Sequence, residues 1–382
     1  ESFIKYMKQE LKGEKIRRIV YRNEQEEEWN MTHCENVKIG LQGRLRLALD
    51  FGVRLTGAGE MCGKYLYHYV RSIGVVFLRT QSHVVGVLMG RSVLQVGCVY
   101  GVIRSGKAFL LLDLDFGKEV VDYRVQNCGC KCICVGESRL RCLEGMVDIV
   151  VGSFVESWFV DQEWTMLSQS KDLCYVMYTS GSTGNPKGVG VGQGNLFNQL
   201  EWVKNQALWD KRDKFLFQIS ASFDRGIWVM LTPIVGGCEL VVVPQGQNMN
   251  ISALVSIMKK RKITTLAFVP SHWRMVVEGM GKTMCKTVKL LICMGEIFPL
   301  PLLHKTKNVI PNAYVWNAYG PTECSITVSR FETNRERRPS LGFPIGRLKQ
   351  NNQFYFDGNG SRFLYIGGHQ VSSGYIGRDE IT

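Results

Sequence analysis

The 382-residue sequence contains no uninterrupted apolar run of ~18 residues, the length a helix needs to cross a bilayer, so no membrane partner is expected. It lacks an initiator methionine, and its first residues, "ESFIKYMKQELKGEK", lack the apolar core of a secretory signal. The other end, "GRDEIT", carries no cap or closing element, and we therefore expect a piece of a longer polypeptide. No internal repeat and no low-complexity linker is present. The densest basic runs, "KKRK" at 259–262 and "RERR" at 335–338, lack the interleaved aromatics of a single-strand nucleic-acid platform. They read as solvated faces, and no nucleic-acid partner is expected.

What the chain does have is ordinary for a globular protein: 45% apolar residues and 21% charged. Its length is too great for one small core and implies two or more lobes. The net charge of +13 (47 basic minus 34 acidic residues) favours anionic ligands, nucleotides among them. Thirteen cysteines in a chain of this size, without a secretory signal, point to the reduced, cytoplasmic compartment. Four of them alternate in "CGCKCIC": Cys128, Cys130, Cys132 and Cys134. On one extended strand these thiols share a face at ~7 Å spacing, which suits packed small side chains. A tetrahedral metal cage, the alternative, would need the backbone to curl.

From residue 84 onward apolar strands alternate with helical stretches. Strands are expected at 84–89, 108–113 and through the cysteines, with helices over "SVLQVGCVYGVIRSG", ended by Gly106, and near 119–126. Further strands fall near 174–178, 215–219, 239–243, 263–268, 289–294 and 312–316, with helices such as "ISALVSIMKK" and "PLPLLHKTK" between them. The fold class is α/β, with mixed, mostly parallel sheets flanked by helices. After about residue 330, "NQFYFDGNGSRFLYIGG" reads as a small antiparallel β subdomain. Ligand sites in such sheets gather at the carboxyl ends of strands. That is where "TSGSTGNPKG" follows the strand "CYVMY".

This loop has the composition of a phosphate cradle. Gly181, Gly184 and Gly188 let backbone N–H groups approach an anion. Thr179, Ser180, Ser182 and Thr183 add hydroxyl donors, and Lys187 adds charge. It is not a Walker loop, because Pro186 stands before the lysine and Gly188 follows where Ser or Thr would ligate magnesium.

"YTSGSTGNPKGV" (178–189) closely resembles the signature loop of the adenylate-forming superfamily, the acyl-CoA synthetases, luciferases and amino-acid adenylation domains. "NAYGPTECSI" (317–326) resembles that family's second nucleotide motif, and "FDRGIWVMLTPIVGG" (223–237) its substrate-side helix. "RSGKAFLLLDLDF" (104–116) is similar to an early family element, and "FPIGRL" and "LYIGGHQVSSGYIGRDEIT" match the segments that finish its large N-terminal subdomain. The resemblance covers roughly residues 50 to 382. Three features are similar to the amino-acid adenylation domains of nonribosomal peptide synthetases. "SFD" places Asp224 where those domains keep an aspartate for the α-ammonium of the substrate, a carboxylate being what a buried cation requires. "EEEWNMTH" (26–33) resembles the linker that follows a condensation domain, and Trp228 stands one helical turn after Asp224.

The resemblance implies ATP-dependent activation of an amino acid as aminoacyl-AMP, followed by loading onto a carrier thiol. It implies ATP and Mg²⁺ as cofactors. The implied partners are a peptidyl carrier protein with its phosphopantetheine arm and a condensation domain in the same assembly line. Thr179, Ser180, Gly181, Ser182, Thr183, Gly184 and Lys187 would hold the phosphates; Asn317, Tyr319 and Gly320 would frame the base. Thr322 would contact the α-phosphate and Glu323 would ligate Mg²⁺, with Lys187, Thr322 and Glu323 as the catalytic set. The substrate pocket would comprise Asp224, Arg225, Trp228, Ala267, Ile292, Met294, Ala318, Ile326 and Thr327. Arg225 either meets an acidic substrate or swings out to solvent; solvent is the expected outcome, because an unpaired buried guanidinium is costly.

Residues 1–33 would be an inter-domain linker, 34–330 the AMP-binding core and 331–382 the β subdomain closing the large lobe. The small C-terminal lobe, with the lysine that grips the reacting carboxylate, would be absent, and these residues alone would adenylate weakly. Departures from the pattern are Gly226, Met294 and Gln193 at positions where the family favours serine, a small residue and histidine. Two alternatives stay open: an acyl- or aryl-CoA synthetase, against which Asp224 argues, and a degenerate module that binds nucleotide without catalysis. A carrier-protein site is disfavoured because Ser372 stands three residues after His369.

Overall fold

The structure, a computed structural model, describes residues 16–17, 41–50, 53–57, 60–136, 148–151, 171–180, 186–207, 209–220, 222–333, 343–357 and 363–378. Strand β1 (Ile16–Arg17) precedes helix α1 (Leu41–Asp50), the β2–β3 hairpin (Arg54–Thr56, Glu60–Cys62) and helix α2 (Gly63–Arg79). A βαβαβ series follows: β4 (Val84–Leu88), α3 (Val93–Arg104), β5 (Ala108–Leu112), α4 (Lys118–Asn127), β6 (Cys132–Val135) and β7 (Asp148–Val151). Ser92 caps α3 by accepting from the Gln95 N–H, and Gly106, at φ 73°, turns the chain beyond its end.

The phosphate-loop stem is a hairpin of β8 (Leu173–Thr179) and β9 (Lys187–Gly192), followed by α5 (Gln193–Ala207). Next come β10 (Lys214–Phe217), α6 (Asp224–Gly236), β11 (Glu239–Val242), α7 (Ile251–Lys260), β12 (Thr265–Phe268) and α8 (Pro270–Met280). The chain continues through β13 (Leu290–Met294), α9 (Leu300–Val309), β14 (Tyr314–Tyr319) and a 3₁₀ turn at Thr322–Cys324. It ends with β15 (Ser329–Glu332), β16 (Arg347–Leu348), β17 (Asn352–Asp357) and β18 (Tyr365–Gly368).

Three sheets result. The nine-stranded sheet runs β16-β15-β14-β13-β12-β10-β11-β2-β3, with parallel pairing from β14 to β2 and antiparallel edges. The six-stranded sheet runs β7-β6-β4-β5-β8-β9 and is parallel up to its last, antiparallel pair. A small antiparallel sheet, β1-β17-β18, lies apart from both. The expected α/β class, with its small antiparallel sheet near the C-terminus, is the observed one.

Alternation along the strands explains the layering. Val85 and Val87 of β4, and Leu290, Ile292 and Met294 of β13, enter one core shared by both large sheets with α1, α2, α3, α5 and α6. Their neighbours face outward: Leu291 and Cys293 pack with α7, α8 and α9, and Leu88, Leu110 and Ile133 with α4. Strands buried on both faces carry the near-continuous apolar runs that parallel sheets require. The strand expectations match these elements with shifted ends. The main difference is β9, a strand that folds back on β8 after the loop and that the sequence reading did not include.

The cysteine row does not form. Cys132 and Cys134 lie on β6 facing the shared core, whereas Cys128 closes α4 and Cys130 faces the outer layer. Gly129, at φ 63°, bends the backbone before the strand begins. Among the described residues no group of three His, Cys, Asp or Glu side chains could hold a metal, and no helix is long and apolar enough to cross a membrane.

Helices α2 and α3 meet closely because two glycines leave room. A Cβ on Gly97 would stand 2.8 Å from the Tyr69 ring, and one on Gly101 would stand 2.2 Å from Ile73 Cγ2. We predict that Gly101→Leu forces the helices apart and lowers unfolding stability by about 1–3 kcal/mol, measured by urea denaturation.

Candidate functional site

The carboxyl ends of β8, β12, β13 and β14 and the start of α6 build the site. Thr179 and Lys187 are register partners across the β8–β9 hairpin, so the hydroxyl and the lysine flank the loop stem. The Tyr123 hydroxyl donates to the Pro186 carbonyl at 3.0 Å and anchors the returning arm. Ser180 is exposed; Gly181, Ser182, Thr183 and Gly184 lie outside the described residues. Gly188 packs under the Tyr178 ring, which a Cβ would approach to 3.0 Å.

The second segment leaves β14 at Tyr319 and doubles back to β15. Its turn demands a glycine: a Cβ on Gly320 would sit 2.5 Å from Thr327 Cα and 2.6 Å from the Ile326 carbonyl oxygen. Ile326, a β-branched residue, sits at φ 83°, a conformation such side chains rarely adopt and one that packing must hold in place. Asn317 is buried and donates to the Pro344 carbonyl at 3.0 Å, while Tyr319 is half-buried at the strand end.

Asp224 opens α6, where the helix dipole favours a negative charge. The N-cap position itself belongs to Phe223, whose side chain makes no cap bond. Asp224 Oδ1 accepts the Arg225 backbone N–H at 2.7 Å, and Oδ2 accepts the Thr322 hydroxyl at 3.0 Å. Burial raises the Asp224 carboxyl above the usual carboxylate range, against the downward pull of Thr322 and Arg225.

Arg225 does not swing free. Its guanidinium is half-buried, donates to the Met294 carbonyl at 2.8 Å and lies 5.7 Å from the Phe223 ring centroid. It occupies the space above Gly295, where a Cβ would meet Nη1 at 2.6 Å. The expectation of a solvated arginine is thus corrected: closing the end of β13 satisfies part of the guanidinium within the protein.

The apolar pocket residues come together. Trp228, Ala267, Ile292, Met294, Ala318 and Ile326 all belong to the shared core. Thr327 is buried too, but its hydroxyl is exchanged with the Gln199 amide at 2.9 and 3.0 Å. Lys349 donates to the Thr327 carbonyl at 3.0 Å and contacts Gln199 Oε1, and burial lowers its pKa well below the ordinary lysine range. Two buried donors, the Trp228 indole N–H and the Tyr175 hydroxyl, have no hydrogen-bond partner among the described residues.

Tyr375 is the residue that sequence reasoning left without a role. It bridges to Val189 of β9, its hydroxyl donates to Glu323 Oε1 at 2.7 Å, and Lys187 Nζ lies 5.3 Å from its ring centroid. Burial, then the bond to Glu323, pushes its pKa up to about 12. Only a register between positions far apart in the chain brings it there, and no local spacing signals that register.

The donor set fits a nucleotide with a hard cation. Lys187 and Thr179 offer charge and a donor at the loop stem, and Glu323 supplies an oriented carboxylate.

Comparison with known proteins agrees. The family model described as AMP-binding enzyme matches residues 61–376, and the chain belongs to that family. The solved structures that share its fold include nonribosomal peptide synthetases. Indigoidine synthase of Dickeya dadantii (strain 3937) is 26% identical over 339 residues, covering 83% of this chain and 22% of that protein. Surfactin synthase subunit 2 of Bacillus subtilis (strain 168) is 29% identical over 333 residues, covering 83% of this chain and 9% of that protein. The chain therefore spans under a quarter of the length of these relatives. Among solved structures, the nonribosomal peptide synthetase FmoA3 (S1046A) in its AMPPNP-bound form aligns with a TM-score of 0.81 at 19% identity, covering 90% of this chain and 39% of that one. A four-domain nonribosomal peptide synthetase bound to AMP and glycine, holo-AB3403, aligns at 0.77 with 23% identity, covering 90% of this chain and 26% of that one.

The raised pKa of Asp224 sets a pH dependence. Between its unfolded and folded pKa values the folded state binds more protons, so stability contributed at low pH is lost as pH rises through the folded pKa. Asp224→Asn should flatten that decline and raise the melting temperature of the ligand-free protein at pH 7, read by calorimetry across pH.

Proposed function

We propose that this domain activates an amino acid: the substrate carboxylate attacks the α-phosphorus of ATP, giving aminoacyl-AMP and releasing pyrophosphate. The observation that carries this reading is the 3.0 Å hydrogen bond between Asp224 Oδ2 and the Thr322 hydroxyl. It sets an acceptor for an α-ammonium directly beside the segment that would meet the α-phosphate. An α-amino group is what distinguishes an amino acid from the fatty or aryl acids of a CoA synthetase, for which a half-buried carboxylate has no use.

In this reading Thr179, Ser180, Ser182, Thr183 and Lys187 hold the β- and γ-phosphates, and Tyr319 and Asn317 line the adenine. Thr322 contacts the α-phosphate. Glu323, held by Tyr375, carries Mg²⁺, which when bound supplies neutralising charge for the departing pyrophosphate. Trp228, Ala267, Ile292, Met294, Ala318 and Ile326 form the walls for the substrate side chain, with Arg225 at the rim. Positioning and charge neutralisation account for catalysis of such a transfer, and no protein nucleophile is needed. The acyl group then passes to the phosphopantetheine thiol of a carrier domain, with a condensation domain in the same assembly line. The division into a linker (1–33), an AMP-binding core (34–330) and a closing β subdomain (331–382) belongs to the same proposal.

The test is thermal stabilisation by non-hydrolysable acyl-AMP mimics, one set aminoacyl and one set simple acyl, because a ligand bound to the native state raises its stability by mass action. A shift with an aminoacyl mimic, abolished in Asp224→Ala, is expected. Shifts with simple acyl mimics that survive Asp224→Ala would assign the domain to acyl or aryl acids, and no shift with either set would favour a degenerate module.

A further inference from the structure

Thr322 stands between two sites with one proton to give. A threonine hydroxyl has a single O–H donor and two acceptor lone pairs. In the ligand-free fold that proton is committed to Asp224 Oδ2 at 3.0 Å. The other carboxylate oxygen takes the Arg225 backbone N–H at 2.7 Å. If Thr322 is also the donor to the α-phosphate, as the proposed function has it, the two acceptors compete for the same hydrogen.

We propose that Thr322 couples the two substrate sites by exchanging its hydroxyl proton between Asp224 and the α-phosphate, so that nucleotide and amino acid each strengthen the other's binding. The inference rests on the proposed function for the two ligands and their contacts, and on the observed hydrogen bond for the acceptor that the hydroxyl now serves. A nucleotide that draws the hydroxyl away leaves a half-buried carboxylate short of one donor, and an α-ammonium restores what it lost. Conversely, an ammonium that satisfies Asp224 releases the hydroxyl to the phosphate. The coupling is reciprocal by thermodynamic necessity. It also gives α6 and the 3₁₀ turn a common switch without moving either: α6 begins at Asp224 and the turn begins at Thr322.

The experiment needs no knowledge of the amino acid. AMP, which carries the α-phosphate alone, is titrated into the 382-residue protein by calorimetry, and its affinity is compared across a double-mutant cycle. In Asp224→Asn an amide replaces the carboxylate and can donate to the Thr322 oxygen, so the hydroxyl proton is free for phosphate. AMP should bind on the order of tenfold more tightly, the worth of one hydrogen bond to a charged group. Removing a negative charge near an anion would also tighten binding, but that effect does not pass through Thr322. In the Thr322→Val background the gain from Asp224→Asn should therefore shrink to the charge effect, and in Thr322→Ser it should return. Melting temperatures of all variants check folding, and Thr322→Ala replaces the valine variant should that one unfold.

An equal gain from Asp224→Asn with and without the hydroxyl would overturn the coupling and leave the amino-acid reading intact, since that reading stands on the aminoacyl mimics. Failure of the unmutated protein to bind AMP would overturn the coupling, and would take the amino-acid reading with it only if the aminoacyl mimics also gave no shift. Stabilisation by simple acyl mimics together with an intact cycle would sink the amino-acid reading and keep the proton exchange.

Discussion

Two large sheets bury one face each against a single core, and the site exists because of where that core ends. Alternate residues of β13 and β14 point inward as Ile292, Met294, Trp316 and Ala318, and the apolar face of α6 closes over them with Ile227, Trp228 and Leu231. Parallel strands bring their carboxyl ends to one edge, and there the ladder runs out. Backbone groups, strand-end side chains and the first turn of a helix are left to deal with polar ligands.

A carboxylate at that edge is costly unless something answers it. Asp224 is answered from two directions, by the N–H of Arg225 on its own helix and by Thr322 from the far side of β14. Arg225, its neighbour, turns to the end of β13 and covers Gly295. The tight return at Gly320 and the strained backbone at Ile326 are what hold Thr322 within reach. Here conformational strain sits beside the chemistry, in a loop whose geometry the shared core over-determines.

Much of this was legible in sequence, for a physical reason. Strands buried on both faces write themselves as apolar runs, so β4, β5, β8, β10 through β14 could be placed near their true bounds. The density of glycine and hydroxyl residues marked the loop after β8 as an anion cradle, whereas "YGPTE" stood out only through its resemblance to a family motif. What escaped was non-local. The antiparallel return of β9 depends on the pairing of Thr179 with Lys187, and Tyr375 reaches Glu323 only through its bridge to Val189. The alternation of "CGCKCIC" was a true local pattern with a wrong consequence, because Gly129 turns the chain before the strand starts. Arg225 was expected in solvent because a carbonyl acceptor supplied by another strand cannot be read from the helix that carries it.

The central claim is that Asp224 and Thr322 hand a hydrogen bond between an ammonium and a phosphate. A crystal structure of the domain with an aminoacyl sulfamoyl-adenosine, whose sulfamoyl group stands in for the α-phosphate, addresses it most directly. The account predicts the ligand's ammonium on Asp224 Oδ2, with the Thr322 hydroxyl rotated onto the sulfamoyl oxygens. A Thr322 hydroxyl still seated on Asp224, with the ammonium held elsewhere, would contradict it.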